Sequence, residues 1–102
     1  MTSPVGYAAY MRVRTKPEKR DEFIRLVAEL RSNVLQNEPD TLVFEILQGA
    51  DENEFVFFEC FKDKAAQKRH QDQPYHVAMS PLGWACLEDN AVIEFIDRKS
   101  VV

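Results

Sequence analysis

The stretch that decides the fold is residues 54–62, whose sequence is EFVFFECFK. Aromatic and β-branched side chains at this density predict a β-strand, in which successive side chains point to opposite sides of the sheet. One side would carry Phe55, Phe57, Glu59 and Phe61, and the other would carry Val56, Phe58 and Cys60. Both sides of this strand are therefore apolar, whereas a strand with one side in water alternates apolar and polar residues.

The segments around this strand predict a β-α-β-β-α-β order. Apolar residues at helical spacing favour a long amphipathic helix ahead of it, and Asp63 is placed to cap a shorter helix behind it. The predicted strands are 6–15, 42–48, 54–62 and 90–97, and the predicted helices are 18–36 and 64–72. This order is that of ferredoxin-like α+β folds, which have a four-stranded antiparallel sheet with helices on one face. Residues 75–87 show no clear period and predict a short helix to Met79, followed by a helical turn after Ser80 and Pro81.

Two predicted helices can cover only one side of this sheet. The predicted strands at 42–48 and 90–97 also carry apolar residues on both sides. An uncovered apolar face of this size exceeds what monomers usually expose. We therefore expect a homodimer in which two copies, related by a twofold axis, pair these faces. The alternative is that residues 75–89 fold over the second face.

Length, charge and composition exclude several classes of protein. The 102 residues predict a single domain, 1–102, with a core of about 6–97. A net charge of −4 argues against nucleic-acid binding, which relies on basic patches. No apolar run approaches the roughly 20 residues of a membrane helix, and residues 1–6 lack the pattern of a signal peptide. Two cysteines without disulfide density or metal-ligand spacing, Cys60 and Cys86, favour a cytoplasmic location.

Two acidic residues, Glu45 and Glu59, interrupt the apolar strands. We expect both to lie on the same face, close enough to interact. A carboxylate among phenylalanines loses its hydration, so it needs a hydrogen-bonded partner. That partner could be one of three arginines: Arg12, Arg14 or Arg69. Otherwise Glu59 is a candidate acid at the wall of a pocket.

His70 and His76 lie on either side of a helix break at Pro74. Imidazole changes charge near neutral pH, so either residue could be an acid or a base, or a surface side chain without a role. Their spacing matches no zinc site, and no metal is expected. We predict that the two rings face each other across the mouth of a pocket. The candidate substrate-binding residues are aromatic: Tyr75, Phe61, Tyr10 and Trp84.

Four short motifs together resemble the antibiotic biosynthesis monooxygenase domain family. They are MRVRTKPEKRDEF at 11–23, NEPDTLVFEI at 37–46, FVFFECF at 55–61 and AAQKRH at 65–70, followed by the second histidine. The resemblance covers about residues 6–97 and implies a dimeric ferredoxin-like barrel. The family includes cofactor-free monooxygenases of phenols and quinols, haem-degrading enzymes, and an isomerase of a phosphorylated autoinducer-2 signal.

Some residues that particular branches of the family use are missing from this chain, which makes some of the family's functions less expected here than others. The haem-degrading branch uses an Asn on the first strand, a Trp and a histidine ligand. Here the first predicted strand has no Asn and Trp84 lies late in the chain, which argues against haem degradation. Glu59 with His70 and His76 resembles the quinol-oxidising and signal-processing members. Phe61 stands where the family often has a Trp.

These observations lead to one main hypothesis and two alternatives. The chain would be a monooxygenase that oxidises a small quinol or phenol with molecular oxygen, without a metal or organic cofactor. His70 or His76 would be the base, and Glu59 would orient the substrate or share its proton. The alternatives are isomerisation of a small phosphorylated metabolite by the same residues, and non-catalytic ligand binding by a dimeric, stress-associated protein.

Overall fold

The computed structural model describes residues 4–101 and contains one four-stranded antiparallel sheet in the order β2-β3-β1-β4. The elements in chain order are β1 (Tyr7–Arg14), a short 3-10 helix (Pro17–Lys19), α1 (Arg20–Asn37), β2 (Thr41–Gln48), β3 (Glu54–Phe61), α2 (Lys64–Gln71), α3 (Pro74–Trp84) and β4 (Val92–Asp97). The predicted ferredoxin-like α+β fold is confirmed. The difference is α3, one continuous 11-residue helix where a short helix to Met79 and a separate helical turn were predicted.

The helices begin and end where the local sequence favours it. A Pro-initiated 3-10 turn precedes α1, and Pro39 follows its C-terminal cap residue Glu38. The side chain of Asp63 accepts a hydrogen bond of 2.8 Å from the backbone N–H of Ala66, so it caps α2 as predicted. Pro74 occupies the first turn of α3, where its missing N–H costs no helical hydrogen bond.

The core lies between the helices and one face of the sheet. The buried residues of α1 recur at helical spacing: Phe23, Val27, Leu30 and Val34. They pack against Phe44 of β2, Phe55 and Phe57 of β3, and Val13 of β1. The side of β3 that carries Phe55, Phe57, Glu59 and Phe61 therefore faces the helices, where the phenylalanines are buried.

Helix α3 packs against α1 on the same side of the sheet as the other helices. Cys86 and Leu87, which follow it, are buried in the core beside Val13 and Phe23. The alternative that residues 75–89 cover the second face of the sheet is therefore wrong. That second face, which we call the outer face, carries Tyr10, Val56, Phe58, Leu47, Val92 and Ile96. Among the described residues no helix covers it.

The expectation that Glu45 and Glu59 share a face is also wrong. In the β2–β3 pairing Phe44 lies opposite Glu59, and Glu45 lies opposite Phe58. Directly opposed residues share a face and adjacent residues alternate, so Glu45 is on the outer face and Glu59 faces the helices. A register shift between Thr41 and Val43 marks an irregularity at the start of β2.

Strand β4 is the least covered part of the sheet. Its side chains Ile93 and Phe95 are opposite Met11 and Ala9 of β1, on the helix-facing side. They are nevertheless 46% and 51% exposed, because the helices extend over β1, β2 and β3 but not over β4. A gap between the helices and the sheet therefore opens at this edge. In the described part of the chain, none of the helices combines the length and apolar character needed to cross a bilayer.

Candidate functional site

A cavity of about 280 Å³ lies between the helices and the sheet and opens towards β4. Its size is just below the range of roughly 300–1,000 Å³ typical of small-ligand pockets. Most of its wall is apolar and comes from the sheet, α1 and α3, with exposed Trp84, Ile93 and Phe95 at the open side. The polar side chains in the wall are Glu59, His70, His76, Gln67, Gln71 and Ser80.

His70 is held between two carboxylates. It lies in the last turn of α2 and is only 3% exposed. Its Nδ1 is 2.7 Å from Oε1 of Glu38, and its Nε2 is 3.3 Å from Oε1 of Glu59. The rings of Phe44 and Phe61 lie on the imidazole with centroids 5.4 Å away, which fixes the ring plane. The predicted partners of Glu59 were arginines, and its actual partner is His70.

The arginines are engaged elsewhere. Arg14 pairs with Asp51 at 2.8 Å and Arg69 pairs with Asp40 at 2.9 Å, both at the surface. Arg12 donates hydrogen bonds of 2.7 Å and 3.2 Å to the hydroxyl of Tyr10. No arginine or lysine lies in the wall of the cavity among the described residues.

Glu38, at the C-terminal end of α1, contacts the ring nitrogen of His70 that does not face Glu59. Its carboxylate is buried and accepts a hydrogen bond of 2.8 Å from Oγ1 of Thr41. It also accepts a short hydrogen bond from the hydroxyl of Tyr75. Thr41, Tyr75 and His70 therefore all donate hydrogen bonds to the buried carboxylate of Glu38. An ionised carboxylate has enough lone pairs to accept all three.

The charge of His70 follows from these contacts. Burial lowers the pKa of this imidazole, but the hydrogen bond and negative charge of Glu59, together with those of Glu38, outweigh it, so the net pKa is raised. Both ring nitrogens face carboxylate oxygens, and only the imidazolium form can donate to both. Below its raised pKa His70 is therefore a cation between two anions.

The pKa of His76, on α3, is shifted in the opposite direction to that of His70. Its ring lies edge-on to His70 with centroids 4.7 Å apart. Burial and the positive charge of His70 lower the pKa of His76, although Glu59 and Glu38 act in the other direction. Within residues 4–101 its side chain makes no hydrogen bond or ion pair. At neutral pH it is an uncharged imidazole at the cavity wall, able to accept a proton.

Four of the predicted site residues meet at this cavity: Glu59, His70, His76 and Trp84. The two histidine rings face each other as predicted, but His70 is buried in the wall and does not rim the mouth. The other three predicted residues do not line the cavity. Phe61 is 0% exposed and packs behind His70, while Tyr75 faces Glu38 and a smaller hollow between α1 and α3. Tyr10 is on the outer face, separated from the cavity by the sheet.

Sequence reasoning missed Glu38 and Thr41. In the sequence, Glu38 stands out only as part of the motif at 37–46, which assigns it no role. One signal could have found it, since a carboxylate at a helix C-terminus meets the negative end of the helix dipole and is unfavourable there without a positive partner. Its presence in that position predicts a nearby cation, and His70 is that cation.

The site contains no evident metal centre. Within residues 4–101 no group of three or more His, Cys, Asp and Glu side chains has an arrangement that could hold a metal ion. Among the polar side chains of the cavity wall, Glu59 is paired with His70 and Gln67 with Gln71, whereas His76 makes no hydrogen bond within the described residues. What the arrangement can do is orient a hydroxyl group and accept its proton.

Comparison with known proteins identifies the family. The family model described as antibiotic biosynthesis monooxygenase matches residues 6–81 of this chain. The chain belongs to the antibiotic biosynthesis monooxygenase family, as its motifs indicated. This membership supports a function of that general type.

Solved structures agree on the fold. A candidate antibiotic biosynthesis monooxygenase of Caulobacter crescentus is 23% identical, with a TM-score of 0.86 over 94% of this chain and 92% of its own. A conserved protein of Methanosarcina mazei is 22% identical, with a TM-score of 0.87 over 93% and 94%. An uncharacterized protein of Synechocystis is 30% identical over 64 residues, which are 62% of this chain and 43% of that protein. This chain thus matches less than half the length of the Synechocystis protein.

Proposed function

We propose that this protein is a monooxygenase that oxidises a small quinol or phenol with molecular oxygen, using electrons from the substrate itself. The observation that supports this most is that a carboxylate, Glu59, and an uncharged imidazole, His76, both lie in the wall of a mostly apolar cavity of about 280 Å³. This combination suits a flat, apolar molecule that carries an ionisable hydroxyl group.

The substrate ring lies among apolar side chains, and its hydroxyl points to the polar end of the cavity. Met11 and Phe57 from the sheet and Met79 from α3 form walls for the ring. Trp84 and Phe95 border the open side, where they shield a bound ring from water. The hydroxyl donates its hydrogen bond to the free nitrogen of His76, and the negative charge of Glu59 acts on that imidazole.

His76 is the base in this proposal, and His70 is not. His70 already carries its second proton and uses both N–H groups to bind Glu38 and Glu59. His76 is uncharged and has a free nitrogen lone pair. When it takes the substrate proton, the negative charge of Glu59 stabilises the new imidazolium, and the phenolate left behind is a much stronger electron donor to oxygen than the phenol.

The reaction balances without another reductant. After the O–H bond breaks, one electron passes from the phenolate to O₂, and the resulting radicals combine to form a C–O bond at the neighbouring ring carbon. The resulting peroxide anion takes the proton from His76 and becomes a hydroperoxide. Its O–O bond and the adjacent C–H bond then break, and the released hydroxide and the C–H proton leave as water. A quinol and O₂ thereby give a hydroxyquinone and one water, with all electrons supplied by the quinol.

The charge of the cavity favours this function over isomerisation of a phosphorylated metabolite. Glu38, His70 and Glu59 together carry one net negative charge, and His76 is neutral. Among the described residues that line the cavity there is no lysine or arginine. A phosphate group would therefore face Glu59 without a cationic partner, at a desolvation cost that a neutral quinol avoids.

Oxygen consumption tests the proposal directly. With a naphthohydroquinone as the probe, we expect the protein to accelerate O₂ uptake and to form the hydroxynaphthoquinone, with one atom of isotopically labelled O₂ in the product. Spontaneous oxidation instead gives the unsubstituted quinone and hydrogen peroxide, so mass spectrometry separates the two. A panel of phenols and quinols that raises the melting temperature but is never turned over would indicate a binding protein and refute the enzyme.

We also propose that the protein works as a homodimer joined through the outer face. Phe58, at the centre of that face, is 43% exposed in the single chain, and Leu47 and Ile96 are 49% and 50% exposed. Pairing two such faces removes an apolar surface larger than monomers usually carry. Light scattering should then give about twice the chain mass of 11.8 kDa.

A charge at the centre of the outer face should break this dimer. Phe58→Lys places an unpaired ammonium where the second copy would bury it, so we expect monomer or aggregate on size exclusion with light scattering. Leu35→Lys is the matched control, because Leu35 is 61% exposed on α1, away from the sheet. A wild-type monomer at micromolar concentration would refute the proposed assembly, as would an unchanged dimer in Phe58→Lys.

A further inference from the structure

The buried group behind the cavity contains one more carboxylate than the proposed chemistry uses. Glu59 and His76 face the cavity, whereas Glu38 does not line it. Glu38 is nevertheless buried and binds Thr41, Tyr75 and His70 at once. A buried acid with three partners is costly to maintain unless it stabilises a particular charge state nearby.

Two proton arrangements are compatible with the distances. In one, His70 is an imidazolium and both Glu38 and Glu59 are ionised. In the other, His70 is neutral, donates from Nδ1 to Glu38, and its bare Nε2 accepts a proton from a neutral Glu59. Both arrangements contain the same number of protons. They differ in whether the Glu59 side chain that faces the cavity is ionised or neutral.

We infer that Glu38 is a positioning residue that holds His70 in the doubly protonated form, so that Glu59 is presented to the cavity as a carboxylate. The contact between Glu38 and His70 is 2.7 Å, shorter than the 3.3 Å between His70 and Glu59. Glu38 is thus the nearer and more deeply buried of the two anions, and it stabilises the positive charge of His70 together with Glu59. Tyr75 and Thr41 hold the Glu38 carboxylate in place by donating to it from α3 and β2.

The charged and titratable groups that face His70 come from three elements besides its own helix. They are Glu38 from the end of α1, Glu59 from β3, and His76 with Tyr75 from α3. On α2 itself, Arg69 points to Asp40 at the surface and Lys68 to Asp72. Glu38 and Glu59 are thus the anions paired with this imidazole among the described residues, and only Glu59 reaches the cavity.

The charge state of His70 can be measured without any substrate. In ¹⁵N-labelled protein, two-dimensional NMR of the imidazole nitrogens distinguishes an imidazolium from either neutral tautomer at each pH. In the wild type we expect His70 to remain doubly protonated through neutral pH while His76 is neutral. A neutral His70 at pH 7 in the wild type would overturn the inference, and this measurement needs no variant.

Glu38→Gln should lower the proton affinity of His70 by about tenfold or more, because a nearby opposite charge typically shifts a pKa by about 1–3 units. Asp40→Asn is the matched control: it removes a carboxylate two residues away that pairs with Arg69 at the surface and leaves the His70 contacts intact. An unchanged titration of His70 in Glu38→Gln, or an equal shift in Asp40→Asn, would refute the positioning role.

The consequence for turnover rests on the proposed function and has a separate readout. If Glu38 keeps Glu59 ionised, Glu38→Gln should lower kcat for O₂ uptake across the pH range, because the two proton arrangements hold the same number of protons and their ratio does not change with pH. NMR titration that behaves as expected in a protein without oxygenase activity would refute the proposed function and leave the positioning role standing. Oxygenase activity in the wild type, together with an unchanged titration of His70 in Glu38→Gln, would refute the positioning role and leave the proposed function standing.

Discussion

Glu59→Gln is expected to lower the rate of quinol oxidation by about 100-fold or more while the protein stays folded. Loss of a positioned proton-transfer or charge-stabilising group typically costs about 10²–10⁴ in rate. The amide keeps the size of the side chain and an oxygen that can accept from Nε2 of His70. It removes the negative charge that stabilises protonated His76.

The measurement is O₂ uptake with a naphthohydroquinone, together with the melting temperature of each variant. Glu52→Gln is the control, because Glu52 is an exposed residue in the turn of the same β2–β3 hairpin. If Glu59→Gln loses many degrees of melting temperature and retains turnover or ligand binding, Glu59 is a structural partner of His70 and the site assignment is wrong. A retained fold with lost turnover supports the assignment.

The fold could be predicted from the sequence because its signals are local. The helical spacing of Phe23, Val27, Leu30 and Val34 is set by 3.6 residues per turn, and all four are buried in α1 as that period requires. The apolar residues of 54–62 likewise indicate a strand with two apolar sides. The full length of α3 escaped prediction because the helix contains Pro81 and is apolar around much of its surface, with Val77 and Leu82 exposed, so no period stands out.

The candidate site could be predicted only in part, because it depends on pairings between distant segments. The face on which Glu45 and Glu59 lie is set by the register of β2 against β3, which no local pattern determines. Tyr10 was assigned to the cavity for its chemistry alone, and its strand places it on the other face. Glu38 and His70 are 32 residues apart and meet only after α1 and α2 pack on the same sheet.

The largest stability effect is expected from His70→Asn. This change removes the cation between two buried carboxylates, whose side chains are 5% and 12% exposed at Glu38 and Glu59. Removing one partner of a buried ion pair typically costs about 3–5 kcal/mol. A domain of this size loses about 4–8 °C of melting temperature per kcal/mol, so we expect a fall of about 12 °C or more at equal protein concentration.

His76→Asn is the matched variant. It should separate the stabilising role of His70 from the proposed role of His76 as the base. His76 is half-buried and has no hydrogen bond within residues 4–101, so its replacement should change stability by about 1 kcal/mol or less. The same change removes the proposed base and should lower turnover by about 10²–10⁴-fold. Equal turnover in wild type and His76→Asn would end the acid–base proposal.

The pH dependence of the His70→Asn effect identifies its cause. The pKa of His70 is raised in the folded protein, so its charge contributes fully to stability below the ordinary histidine pKa of about 6.5. That contribution is lost as the pH rises through the raised, folded-state pKa. The difference in melting temperature between wild type and His70→Asn should therefore be largest at mildly acidic pH and shrink in alkaline solution. A difference that does not change with pH would mean that lost packing against Phe44 and Phe61, and not lost charge, destabilises the variant.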